Sequence, residues 1–133
     1  MKKVFLNAGL SSLAEQEFNK SLVKMLRKYN FEVYSPQEVL PPGIQVSATE
    51  IYNANLSAIA GSDIILCVLD KPGLGVIFEL AQALAMKKKV IIFRSDIQDY
   101  LGKIIEGLWE SIDNKYKAQN LQQLNDILEN EGG

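Results

Sequence analysis

The residues that most constrain the fold run from Ser62 to Phe93, SDIILCVLDKPGLGVIFELAQALAMKKKVIIF. Asp63 to Leu69 opens this stretch as a short apolar run rich in branched side chains, which suits a strand buried on both faces of a parallel sheet. Lys71-Pro72-Gly73-Leu74-Gly75 then breaks the run with turn residues. From Val76 the apolar spacing becomes helical, with Val76, Leu80, Ala83 and Leu84 sharing a face that continues to Lys87. Lys89 to Phe93 is a second apolar run. Two strands joined by a helix need a right-handed crossover, so the unit predicts an α/β sheet.

The remaining chain repeats the alternation. Lys3 to Ala8 reads as a first strand, with Gly9 as a turn residue. Ser11 or Ser12 caps a helix reaching about Tyr29, with Leu13, Phe18, Leu22, Met25 and Leu26 along one stripe. Ser12 and Glu15 have the spacing of a capping box. Asn30 stops that helix, and Phe31 to Tyr34 is a second strand. Ser35 to Thr49 contains Pro36, Pro41, Pro42 and Gly43, and its length suits a lid or binding loop. Thr49 to Ala60 is a helix with Thr49 as its cap; Ser95 to about Ser111 is a loop and helix carrying Tyr100, Leu108 and Trp109. Asn120 to Asn130 forms a terminal helix packing Leu121, Leu124 and Leu128, and the last two glycines read as disordered.

Together these elements predict a flavodoxin-like three-layer α/β sandwich with a parallel sheet of four or five strands. Residues 1–133 would form a single domain. With strand 1 between strands 2 and 3, the switch point sets Asn7, Ala8 and Gly9 beside Asp70 to Glu79 around one crevice.

Composition narrows the chemistry. The formal net charge is −2 and no basic stripe alternates with aromatics, which excludes a nucleic-acid polymer as partner. No apolar stretch has membrane-spanning length and no signal-peptide core opens the chain, so no membrane partner is expected. Cys67 is the only cysteine and lies mid-strand, which suits a core thiol and a cytoplasmic location. There is no histidine, which rules out serine–histidine hydrolysis, histidine bases and histidine metal sites. KPGLG is too short for a P-loop and lacks its Lys-Ser/Thr ending; no dinucleotide fingerprint occurs.

Glu79 is the residue out of place. It is expected in the first turn of its helix, beyond the end of a central strand, where the dipole favours the ionised carboxylate. An ionised carboxylate in a cleft can attack an electrophilic carbon. On position alone, a carboxylate that only helps cap its helix is the favoured reading.

VFLNAGLSS, EFNKSLVKMLRKYNFEVYSPQE, ANLSAIAGSDIILCVLD and LGVIFELAQALAMKKKVII together resemble the nucleoside 2-deoxyribosyltransferase family, including the related 2′-deoxynucleoside 5′-phosphate N-hydrolases. The resemblance spans about Lys3 to Trp109. Leu-Gly-Val followed by aromatic-Glu-Leu is its most specific part, because it is the setting of the family's catalytic glutamate, here Glu79. The resemblance implies that Glu79 attacks C1′ of a deoxyribose, giving a covalent intermediate that a second base or water resolves. It implies no metal or organic cofactor. The implied partners are a nucleoside or nucleotide, a free base, and further copies of the chain in a homodimer or larger homo-oligomer.

The chain departs from the family pattern at several positions. The family's proton-handling aspartate is matched by Asn55, which hydrogen-bonds but does not titrate. Asp70 is the candidate substitute, with Asn55 and Asp70 positioning Glu79 or the substrate. The tyrosine that helps hold the glutamate in relatives is matched by Phe5, and Asn7 stands where a small residue is common. Phe5 and Asn7 border the expected substrate crevice, with Gly9, Gly73 and Gly75 shaping it and Gln37 in the base-facing position. Gly73 and about Gly102 match serines that hold phosphate in the hydrolases, which favours a nucleoside over a nucleotide. Transferase, monophosphate N-hydrolase and catalytically weakened binding relative are thus the three readings of the sequence.

Overall fold

The computed structural model describes residues 1–132. Five parallel strands form one sheet: β1 (Lys3–Asn7), β2 (Glu32–Tyr34), β3 (Ile64–Val68), β4 (Lys89–Phe93) and β5 (Lys117–Ala118). Their order is β2-β1-β3-β4-β5. The helices are α1 (Leu13–Lys28), α2 (Pro36–Val39), α3 (Ala48–Ala60), α4 (Leu74–Ala85), α5 (Lys103–Ser111) and α6 (Leu121–Glu131). This is the expected three-layer architecture, with β1 between β2 and β3.

The period-2 alternation of strands builds both outer layers. Val4, Leu6, Ile64, Leu66, Ile91 and Phe93 pack on one side with Leu22 and Leu26 of α1 and Leu124 and Leu128 of α6. Phe5, Ile65, Cys67, Val90 and Ile92 pack on the other with Ile59 of α3 and Val76, Leu80 and Ala83 of α4. All five β3 residues are buried, as their unbroken apolar run requires. Each buried valine, leucine, isoleucine or phenylalanine among them contributes about 1.5–3 kcal/mol relative to exposure.

The chain folds differently from expectation in several places. Strand β1 stops at Asn7. The capping box on α3 is Ser47 with Glu50 instead of a cap from Thr49, because Ser47 has the glutamate three positions on. Part of the expected loop after β2 is the short helix α2, started by Pro36, whose missing N–H costs nothing at a helix start. Helix α4 begins at Leu74, two residues before the apolar period becomes visible, since Gly75 adds nothing to that period. The two-residue strand β5 is too short to leave a period of its own. Gly132 is ordered as the C-cap of α6, its N–H donating to Leu128 O at 2.8 Å; Gly133, expected to be disordered with it, lies outside the described residues.

Arg94, at the end of β4, has a buried side chain and pins α5 to the sheet. Its Nη1 and Nη2 meet the Glu106 carboxylate at 3.0 and 2.7 Å, Nη2 also donates to Asp99 O, and the guanidinium lies 5.3 Å from the Trp109 ring centroid. These contacts make Trp109 a packing residue of α5.

Candidate active site

A cavity of about 600 Å³ opens at the carboxyl ends of β1 and β3. Its walls come from the β1–α1 turn (Ala8, Gly9, Leu10, Ser11), from α3 (Ile51, Tyr52, Asn55) and from the start of α4 (Gly73, Gly75, Val76, Phe78, Glu79). Helices α1 and α4 follow β1 and β3, adjacent strands whose connections run to opposite faces, so the crevice is left uncovered between them.

Glu79 lies in the second turn of α4, which removes the expected stabilisation from a first-turn position. It is half-buried, and burial pushes its carboxyl above the ordinary glutamate value. Asn55 opposes that shift: its Nδ2 donates to Glu79 Oε2 at 2.9 Å and so favours the charged form. A carboxylate oxygen accepts and cannot donate, so this bond fixes the orientation of the Asn55 amide. The result is a half-desolvated carboxylate, held by one amide and facing an open cavity. Such a group suits nucleophilic attack on carbon.

The other expected residues divide into those that meet Glu79 and those that do not. Gly73 and Gly75 line the cavity, and a Cβ at either would meet nothing within 4 Å. Gly73 is the N-cap of α4 and supplies no side-chain bond to the free amides of the first turn. Gly9 lines the opposite end. Asn7 lies beneath the cavity and not in its wall: it is buried, and its Nδ2 donates to Val76 O at 2.9 Å and to Cys67 Sγ at 3.6 Å. It thereby ties β1 to α4, while Asn7 Oδ1 stays buried with no partner among the described residues.

Asp70, Phe5 and Gln37 stand apart from the arrangement the sequence predicts. The Asp70 carboxylate takes hydrogen bonds from Ser95 N (2.8 Å), Asp96 N (3.1 Å) and Ser95 Oγ (2.6 Å), holding the turn after β4 and making no contact with Glu79. Phe5 is fully buried, its ring stacked on Tyr34 at 5.6 Å, because β1 is central and covered on both sides. Gln37 faces α1 instead of a base: its Nε2 donates to Gln16 O at 2.9 Å and its Oε1 accepts from Asn19 at 3.0 Å. These bonds hold the buried Gln37 amide against α1, and it is not among the residues lining the Glu79 cavity.

Sequence reasoning passes over Tyr34 and Glu15. Tyr34 is the residue paired with Phe5 across the β1–β2 ladder, and both burial and the Glu79 charge raise its phenol. Register between neighbouring strands is the signal that brings it toward the site. Glu15 reads only as a capping residue in sequence, yet it also lines the cavity. Cys67 lies fully buried below, its thiol pushed up chiefly by burial and further by Glu79, which makes it inert. Among the described residues no three histidine, cysteine or acidic side chains converge to hold a metal ion. No described helix is long and apolar enough to cross a membrane.

The model of the nucleoside 2-deoxyribosyltransferase family matches residues 4–128. No curated protein matches the sequence. Among solved structures, the 2-deoxyribosyltransferase of Bacillus psychrosaccharolyticus superposes with a TM-score of 0.73 at 15% identity, covering 93% of this chain and 90% of that one. The CMP N-glycosidase of Clostridium botulinum gives 0.67 at 22% identity, covering 98% and 99%. A conserved protein from Enterococcus faecalis gives 0.66 at 24% identity over 100% and 89%. At these identities the superpositions establish a shared fold.

Proposed function

Because the chain belongs to the nucleoside 2-deoxyribosyltransferase family, we propose that it cleaves and re-forms the N-glycosidic bond of 2′-deoxynucleosides, with Glu79 as the nucleophile. The observation that carries this reading is the half-desolvated Glu79 carboxylate, held at 2.9 Å by Asn55 in the wall of a cavity large enough for a nucleoside. A Glu79 oxygen bonds to C1′ while the C1′–N bond breaks and its electron pair leaves with the base. A second base then attacks C1′, returning the carboxylate. Both displacements pass through oxocarbenium-like transition states, as in retaining glycosidases. Asn55 orients the carboxylate and cannot deliver a proton to the departing base.

Hydrolysis of nucleoside 5′-monophosphates is the second reading. It is favoured by the uncapped first turn of α4, whose free amides adjoin Lys71 at the cavity and suit a phosphate. The similarity to a CMP N-glycosidase supports it too. Binding without turnover is the third reading, and the absence of a titrating group at Asn55 is its support.

The deciding experiment is chromatographic, with deoxynucleosides and nucleotides incubated with or without a second free base. A new deoxynucleoside that needs the second base and disappears in Glu79→Ala establishes transfer. Free base released from monophosphates alone establishes the hydrolase. If ligands bind and neither product forms, the chain is a binding relative.

A further inference from the structure

The far wall of the cavity carries a second carboxylate that the proposed chemistry leaves unused. Glu15 is half-buried and belongs to the first turn of α1. Its Oε1 is committed to the helix start, accepting from Ser11 Oγ at 2.9 Å, Ser12 N at 3.1 Å and Ser12 Oγ at 3.1 Å. Its Oε2 accepts no hydrogen bond among the described residues and lies against Gly9, where any Cβ would overlap it. Glycine at position 9 is therefore what lets this carboxylate lie along the cavity wall.

The two helix starts that open on the cavity thus differ in polarity. At α1 the chain supplies its own anion, which opposes a second one. At α4 the first-turn amides have no side-chain cap, and Lys71 stands beside them. Between the ends the walls are largely apolar, with Ala8, Leu10, Ile51, Val76 and Phe78. A nucleoside with C1′ at Glu79 extends two arms, one to the oxygen on C5′ and one to the base. The C5′ oxygen, free or phosphorylated, is the arm that amide donors and a lysine attract. The base is then directed to the Gly9–Glu15 end.

We infer that Glu15 Oε2 is the group that reads the base, selecting amino-bearing bases such as cytosine and adenine over their oxo counterparts uracil and hypoxanthine. This inference rests on Glu79 standing at C1′. An exocyclic amine donates a charge-assisted hydrogen bond to the free carboxylate oxygen, whereas a carbonyl there brings two acceptors together. Discrimination of this kind exceeds that of apolar contact, because the wrong base leaves a desolvated charge unpaired.

The test compares cytosine with uracil and adenine with hypoxanthine nucleosides, read as kcat/KM and as Kd by calorimetry on the full chain. The wild type should prefer the amino base by about tenfold or more, in the range of one charged hydrogen bond. Glu15→Gln keeps the capping box, since glutamine serves at that position as well as glutamate. Its amide can donate to a carbonyl, so the preference should collapse or reverse at an unchanged Tm. A wild-type ratio near one, or the same ratio in Glu15→Gln, overturns the inference. Absence of turnover and of any Glu79 adduct on every substrate would instead overturn the nucleophile assignment. The binding ratios would then still decide the role of Glu15, and no binding of any nucleoside removes both.

Discussion

At Glu79 two forces act on one proton. Burial raises the carboxyl above its ordinary value, and the Asn55 hydrogen bond pulls it back without cancelling the effect. A group whose folded pKa is raised stabilises the fold fully below its unfolded pKa and loses that contribution as pH rises through the folded value. At neutral pH the ionised carboxylate is therefore a net cost to folding, a common feature of a functional group. Glu79→Gln should raise the melting temperature at pH 7 while abolishing turnover, and the gain should vanish below about pH 4, the ordinary glutamate range. A melting temperature that is unchanged at pH 7 would mean the carboxylate is better solvated than its burial implies. The rate should fall on the acid side with a midpoint above the ordinary glutamate value, and Asn55→Leu should move that midpoint further up by deleting the bond that favours the charge. Asn55→Asp restores a titrating group and should raise turnover by about tenfold or more, the lower part of the range for general acid–base catalysis. No gain with intact binding would count against an acid at that position being the missing part.

Helices α3 and α4 determine whether Asn55 and Glu79 meet, and their starts are the least legible part of the sequence. Apolar periodicity reveals the interior of α4, but Gly73 to Gly75 read as a turn, so Glu79 is expected one turn too early. Likewise Thr49 reads as the cap of α3 although Ser47 has the partner that a capping box needs. Central strands are easier: β3 and β4 announce themselves because both faces are covered and, apart from the exposed Lys89 that opens β4, every residue is apolar. Asp70 and Gln37 show what composition cannot supply, since a polar side chain near a strand end serves a turn or a ligand equally well until its partner is known. In the fold Asp70 meets Ser95, and Gln37 meets Asn19 and Gln16. The cap on α3 has a measurable role. Ser47→Ala removes the bond from Glu50 N at 3.1 Å and should cost about 1 kcal/mol, lowering the melting temperature by about 3–5 °C. If thermal denaturation shows no loss, solvent must satisfy that amide as well as the serine does.

Some of the molecule's exposed apolar residues lie at the start of α4 and the facing part of α3, beside the cavity. Leu74 is 92% exposed, and Phe78 and Tyr52, 43% and 52% exposed, face each other with ring centroids 6.1 Å apart. Leu74 and Phe78 are one turn apart on α4, so they form a continuous stripe beside Glu79. A modest net charge of −2 offers little repulsion between copies. Burying this stripe against a second copy would return the free energy that its exposure costs, at about 25 cal/mol for each Å² of apolar surface removed from water. It would also narrow the open mouth of the cavity and strengthen the electrostatics around Glu79 by excluding water. Size-exclusion chromatography with light scattering should therefore give a mass of at least twice 14.8 kDa at micromolar concentration. Leu74→Glu places a charge at the most exposed end of the stripe, on a side chain that makes almost no contact within its own chain, so folding should be unaffected. That variant should run as a monomer, with kcat/KM reduced at an unchanged melting temperature for the isolated subunit. A wild-type monomer that is fully active at the same concentration would show that one chain completes its own site, and the exposed stripe would then have to serve the substrate itself.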